Sequence, residues 1–329
     1  MEFRTEVPVP EAGLSLGYKS GIMMQGSCFT VNIGNRLKFY GFNTHVNTCG
    51  IIFNPVSVYK TLDMLMNKRL YTEDDLTLYN DTWISLNHHG SFSDSDKERC
   101  LEKINREILS GHESLKNASA LFITWGTSIV YKHNRTRSIA ANCHRLPAGD
   151  FKKYRCSTDS IVNIYTELLE KLHSFNPSLK VIFTVSPVRH WRDGAVENQR
   201  SKAALHLAVD ELTGKFAFAS YFPAYEIVMD DLRDYRFYAE DMIHPGPAAI
   251  EYIWEKFASA YIDKKEHEWM KRIEKIRRGL DHRSSGASPD EYRKFLIKLQ
   301  KETDEISEQN PDIDVTELKE EILRKISAQ

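Results

Sequence analysis

Two pairs of residues carry chemistry that the rest of the chain must position. Ser27 and Cys28 are adjacent in "IMMQGSCFTVNIGNRL", where an apolar run stops at Gly26 and an amphipathic helix begins at once. Both are nucleophile types. A thiol at a helix N-terminus and near an imidazole loses pKa and becomes a thiolate, whereas a serine needs a neighbouring base. Far downstream, Asp241 and His244 stand three residues apart in "AEDMIHPGP", just before a helix. In a turn, that spacing lets the carboxylate accept the imidazole Nδ1 proton and leaves Nε2 free as a base. A nucleophile at the first strand end, just after Gly26, would complete an acid–base–nucleophile set, with backbone N–H groups at the helix start for an oxyanion. Taken singly, each residue has a plainer reading. Serine before a helix is an N-cap, a lone cysteine is a small buried residue, and Asp241 with His244 is a helix-entry hydrogen bond. Their co-occurrence in one chain is what raises the chemical reading.

The elements that must position these residues alternate along the chain. A strand is expected near 21–25 and a helix near 28–40, where Phe29, Ile33 and Leu37 form one apolar stripe ended by Gly41. "SDSDKERCLEKINREILSGH" reads as a helix and "SALFITWGTS" as a buried strand ending in a glycine turn. "STDSIVNIYTELLEKLHSFNP" follows, with Ser157 as cap and Pro177 past the end. "KVIFTVSPVRH" and "FAFASYFPAYEIV" hold two more strands around the helix "VENQRSKAALHLAVDELTG". "PAAIEYIWEKFASAY", with Pro247 in its first turn, is the last helix of this region. Alternation of this kind predicts βαβ units, a mostly parallel sheet, and ligands at the carboxyl ends of the strands. From 263 to 329 the chain turns charged and helical, "SSGASP" separating two helices, and forms a C-terminal helical extension to a domain spanning 1–262. It either covers the site or mediates assembly.

Composition bounds the partners. The chain has 329 residues and a formal net charge of −2, which argues against a general nucleic-acid or membrane-surface protein. It has no apolar run long enough to span a bilayer, and "MEFRTEVPVPEAG" lacks the features of a signal peptide. The five cysteines form no C-x-x-C pair, so a disulfide framework is not expected and the reading is cytoplasmic. The first turn has neither a dinucleotide fingerprint nor a P-loop. A metal site built from His144, His190, His244 and Asp241 lacks metal-ligand spacing, so neither metal nor cofactor is expected.

Several polar groups border the strand ends. Arg189 or His190 follows an apolar strand and is expected at the cleft. Glu197, Asn198, Ser201 and Lys202 continue that segment as a solvated face or an internal salt-bridge network. His144 either hydrogen-bonds structurally or lines the pocket. Asn54-Pro55 also reads as a turn signal. Tyr235, Phe237 and Tyr238 suit a core edge better than sugar stacking.

"QGSCFTVNIGNRL", "GIIFNPVSVY", "ANCHRLP", "VSPVRHWRDGAVENQRSKAAL" and "RDYRFYAEDMIHP" together resemble the GSCFA-domain family, which is itself similar to SGNH/GDSL hydrolases. The resemblance implies a flavodoxin-like three-layer α/β/α fold and an acyl-transfer site. "DMIH" fits the closing D-x-x-H, which gives Asp241 the orienting role and His244 that of the base. Gly50 is the candidate for the glycine block. "WGTS" sits where G-x-N-D is expected but has no asparagine, leaving Asn54, Asn142, Thr127 or Ser128 as the third oxyanion donor. Aligned on the glycine and the following apolar residue, Cys28 takes the nucleophile's place; aligned on serine identity, Ser27 does. The implied activity is an esterase or deacylase, with an O-acetylated carbohydrate as substrate class. The alternatives are an acyltransferase using a donor such as acyl-CoA, and a catalytically silent carbohydrate-binding or scaffold module.

Overall fold

The computed structural model describes residues 5–10, 13–281 and 288–328, so positions 284–287 of the "SSGASP" linker and parts of the N-terminal stretch lie outside the described residues. The chain runs β1 (Gly21–Gly26), α1 (Cys28–Phe39), β2 (Thr44–Val46), α2 (Pro55–Met66), a hairpin of β3 (Thr77–Tyr79) and β4 (Thr82–Ile84), α3 (Lys97–Lys116) and β5 (Ala118–Trp125). Three antiparallel strands follow, β6 (Ile129–His133), β7 (Ile139–Ala140) and β8 (Phe151–Arg155), then α4 (Thr158–Phe175), β9 (Lys180–Val185), α5 (Ala195–Lys215) and β10 (Ala219–Tyr221). A short α6 (Ala224–Glu226) leads to α7 (Pro247–Tyr261), and α8 (His267–Asp281), α9 (Pro289–Gln309) and α10 (Thr316–Ser327) close the chain.

The central sheet has the order β2-β1-β5-β9-β10, and every pair in it is parallel. Counted along the five strands this is 2-1-3-4-5, the flavodoxin-like order, with its switch point between β1 and β5. The expected α/β class and C-terminal helical region are therefore what the chain forms. Side chains alternate across the sheet with period two. Met23, Leu121, Ile123 and Phe183 join one core with α2, α3, α4 and α5, while Ile22, Met24, Phe122 and Ile182 join the other with α1 and α7.

That second core continues without a break into the C-terminal helices. Met270, Ile273 and Ile276 of α8, Leu296 and Leu299 of α9, and Leu318 and Ile322 of α10 belong to the same buried cluster as Ile33 and Trp254. Arg277 Nε donates to the Phe39 carbonyl at 2.8 Å, and the Asp314 N–H donates to the Gly41 carbonyl at 2.9 Å. Gly41 meets these helices at φ 81°, having ended α1 as its position predicts. The helices back the α1 face of the sheet. Among the described residues, no helix is long and apolar enough to cross a membrane.

Two features differ from the sequence reading. Asn54-Pro55 is the capped start of α2 rather than a plain turn: Asn54 Oδ1 accepts the Ser57 N–H at 2.8 Å, and Pro55 sits in the first helical turn. The antiparallel strands β6 to β8, inserted after the glycine turn at β5, have no clear alternating signal because β8 is exposed along most of its length.

Gly26 fixes the switch point. It adopts φ 144°, and a Cβ there would lie 2.1 Å from the Thr124 carbonyl oxygen of β5. Its N–H donates to Asn47 Oδ1 at 2.8 Å, and the next N–H, of Ser27, donates to the Thr124 carbonyl at 3.2 Å. The backbones approach at a distance that only glycine permits. Gly26→Ala is expected to cost at least about 3 kcal/mol, read as a lowered denaturant midpoint; an unchanged midpoint would mean that β1 and β5 part freely.

Candidate active site

The turn after β1 separates its two nucleophile candidates. Ser27 is 3% exposed, and its Oγ accepts the Phe29 N–H at 3.3 Å as the N-cap of α1. Cys28 occupies the first helical position and is half-buried. The expectation that the helix start would depress its thiol is not met, because burial dominates and raises the pKa. The N–H groups of Phe29 and of Cys28 itself, with the Lys202 charge, pull the other way, and Asp241 adds to the rise. The resting group is a thiol that needs a base.

Asp241 and His244 form the pair that the spacing predicts. His244 Nδ1 lies 2.6 Å from Asp241 Oδ2, while Asp241 Oδ1 accepts the N–H groups of Ile243 at 2.9 Å and His244 at 3.0 Å. These bonds, those to His244 first, hold the carboxyl down at about 2. The chain turns at Ala239–Met242, with Met242 at φ 57°, and the His244 carbonyl is tied back to the Ala239 N–H at 2.8 Å. Both side chains are 47% exposed. Among the described residues, no hydrogen bond joins His244 to Cys28 Sγ or Ser27 Oγ. Asp241 nonetheless acts electrostatically on Cys28, and His244 on His190, so all four share the carboxyl end of the sheet.

His190 reaches across the end of β5. Its Nε2 lies 3.0 Å from where a Gly126 Cβ would stand, and its ring centroid is 5.0 Å from that of Phe53. Burial, then the Lys202 and His244 charges, lowers its pKa to about 4, so the imidazole is neutral at neutral pH. Asn198 Oδ1 fixes the backbone by accepting the His190 N–H at 2.8 Å.

Lys202 is the residue that the sequence reading placed wrongly. It is 1% exposed, and its Nζ donates to the Gly126 carbonyl at 2.6 Å and the Ser186 carbonyl at 2.5 Å. It therefore ties the end of β5 to the end of β9, and no carboxylate lies within ion-pair distance among the described residues. Burial, with help from Arg189, lowers its pKa to about 7. Asn198 and Ser201 are buried beside it. The signal was available: 198, 201, 202 and 205 follow helical spacing and continue the buried stripe of Leu205, Val209 and Leu212. Glu197, by contrast, faces solvent and pairs with Arg155 and Arg200.

The remaining candidates are engaged structurally. Thr127 Oγ1 lies 2.9 Å from Ser201 Oγ, which also takes the Ser128 N–H at 2.7 Å. The Gly50 N–H closes a turn onto the Asn47 carbonyl at 2.7 Å, with φ 74°. Asn54 caps α2, its Nδ2 bonding Ser57 Oγ at 2.9 Å. Asn142 Oδ1 accepts the His144 N–H at 2.8 Å, and His144 Nε2 lies 2.8 Å from the Ser85 carbonyl, in a cluster with His88. Asn47, not foreseen, braces Gly26, and its buried Nδ2 has no hydrogen-bond partner among the described residues. Arg189 and the exposed Tyr235 line a cleft beside Asp241. Among the described residues, no three His, Cys, Asp or Glu side chains gather as metal ligands.

The GSCFA family model matches residues 21–257, which takes in the whole sheet, the Cys28 turn and the Asp241–His244 turn. The chain belongs to the GSCFA family. A second match, to the C-terminal domain of GSCFA domain proteins, covers residues 273–328 and so most of α8 together with α9 and α10. No curated protein matches this GSCFA chain.

Lys202 gives the site a pH signature. Its folded pKa is below the unfolded value, so between about 7 and 10.5 the unfolded chain binds the proton that the folded one has lost. Stability contributed by this group therefore rises with pH across that window. In Lys202→Met, the urea midpoint is expected to gain less between pH 7 and pH 9 than in wild type; equal gains would remove the lysine from the account.

Proposed function

We propose that the protein is an ester hydrolase of SGNH-like mechanism that uses Cys28 as its nucleophile. The observation that carries this reading is one sheet end shared by a half-buried thiol and an Asp-oriented imidazole. Ser27 is less suited, because its hydroxyl is buried and engaged as a cap. His244 takes the thiol proton, directly after a side-chain rotation or through one water, and Sγ attacks the ester carbonyl carbon. The Cys28 N–H at the start of α1 faces the developing oxyanion, and the neutral His190 is the neighbouring side-chain donor. Collapse breaks the ester C–O bond, and His244 returns its proton to the leaving alcohol. Water, activated by the same imidazole, then attacks the thioester; the carboxylic acid leaves and the thiol is restored.

An O-acetylated carbohydrate fits this chemistry, and transfer of the acyl group to an alcohol would use the same first half-reaction. The five unpaired cysteines suit a reducing compartment, which supports the cytoplasmic reading. A second reading, a silent carbohydrate-binding module on the same fold, draws on the lack of a hydrogen bond between His244 and Cys28.

One assay separates the two. With p-nitrophenyl acetate, Cys28→Ala is expected to abolish turnover above background, and His244→Ala to lower kcat by about 10²- to 10⁴-fold. Ser27→Ala keeps most of the activity and loses about 1 kcal/mol of stability with its cap. Activity lost with Ser27 but kept without Cys28 would reverse the assignment, and activity indifferent to all three would favour the silent module.

A further inference from the structure

A cleft of about 580 Å³ opens between the loop after β9 and the Asp241 turn, lined in part by Arg189, Trp191, Tyr235, Tyr238, Asp241 and Met242. Three of these are large and apolar yet open to solvent: Trp191 at 57%, Tyr235 at 75% and Met242 at 53%. Their clustering is unlike the scattered apolar residues of an ordinary surface.

The charges of the cleft cancel, with one exception. Arg233 pairs with Asp230 at 3.0 Å, and Arg236 with Asp234 at 3.9 Å. Asp241 is occupied by His244 and by two backbone N–H groups. Arg189 has no carboxylate within ion-pair distance among the described residues. Its Nε is buried without a hydrogen-bond partner, and Nη1 reaches only the Met229 sulfur at 4.0 Å. The guanidinium carbon lies 5.9 Å from the Trp191 ring centroid. A half-buried guanidinium without an anion is costly, and its planar fork matches a carboxylate or a phosphate. Beside it, the exposed rings offer flat faces to a sugar or aromatic ring.

We infer that this cleft binds an oxyanion, a carboxylate or a phosphate, on a ring-bearing ligand, with Arg189 as anchor and Trp191 and Tyr235 as the platform. Bound there, the ligand presents its neighbouring ester to the Asp241–His244 turn. That last step rests on the ester-hydrolase reading; the anion site itself does not.

Calorimetric titration of the full chain at low salt with sodium glucuronate, inorganic phosphate and glucose tests the inference. Glucuronate, phosphate or both are expected to bind at least about tenfold more tightly than glucose, in keeping with a charge-assisted contact. Glucuronate alone would identify a carboxylate ligand, and phosphate alone a phosphorylated one. Arg189→Gln is expected to lose about tenfold or more in affinity, and Arg189→Lys to fall between, since it keeps the charge without the fork. Trp191→Ala, at an exposed position that folding does not need, weakens glucuronate binding independently. The titration reads binding without turnover, so a failed esterase reading leaves the anion site standing. The inference is overturned if neither anion binds, if glucose binds as tightly as they do, or if Arg189→Gln leaves affinity unchanged.

Discussion

The buried Lys202 side chain holds the functional end of this sheet together. Strands in a parallel sheet finish with carbonyl groups that have no neighbour beyond the last rung, and buried carbonyls need donors. Lys202 supplies them for β5 and β9 at once, reaching from α5 to Gly126 and Ser186. Burying an amine without a carboxylate partner is expensive, and the fold accepts that cost where the ends of β5 and β9 must be held in register. Gly126, His190 and Arg189 all lie within a few residues of the two carbonyls that the lysine binds.

The same side chain, when protonated, helps set the electrostatics of the nucleophile. Cys28 lies between opposing influences: the Lys202 charge and the first N–H groups of α1 favour a thiolate, while burial and the Asp241 carboxylate oppose it. Burial wins, so the sulfur waits as a thiol. Asp241 is already committed to His244 and the turn backbone, which orients the imidazole through Nδ1. An arrangement of this kind suits a nucleophile activated when a ligand brings the base close and excludes water.

The opposite face of the sheet explains the charged C-terminal segment. Its helices carry Lys, Arg, Asp and Glu in quantity, yet one stripe of each is apolar and joins the core under α1 and α7. The α1 helix that presents Cys28 is thus packed between the sheet and the C-terminal helices. These contacts hold the far end of α1, where Arg277 meets the Phe39 carbonyl and Asp314 the Gly41 carbonyl.

The fold was largely legible in the chain itself. Apolar runs of strand length alternating with capped amphipathic helices dictate a parallel α/β sheet, because each pattern has only one way to bury its apolar face. Ser157 before α4, Pro247 at the start of α7 and Gly41 after α1 mark their boundaries by local chemistry alone. The Asp241–His244 bond was legible for the same reason: three residues in one turn settle it. What local spacing does not contain is the partner across the sheet. Whether Ser27 or Cys28 faces outward depends on the Gly26–Thr124 crossing, and whether Lys202 is solvated or buried depends on which carbonyls lie above α5. Of the oxyanion candidates, Gly50, Asn54 and Asn142 are taken up by bonds within three residues, to Asn47, Ser57 and His144, whereas Thr127 meets Ser201 only across the fold. Hydrogen bonds between residues close in sequence are fixed by the sequence, whereas desolvation and long-range charge arise only when distant segments meet.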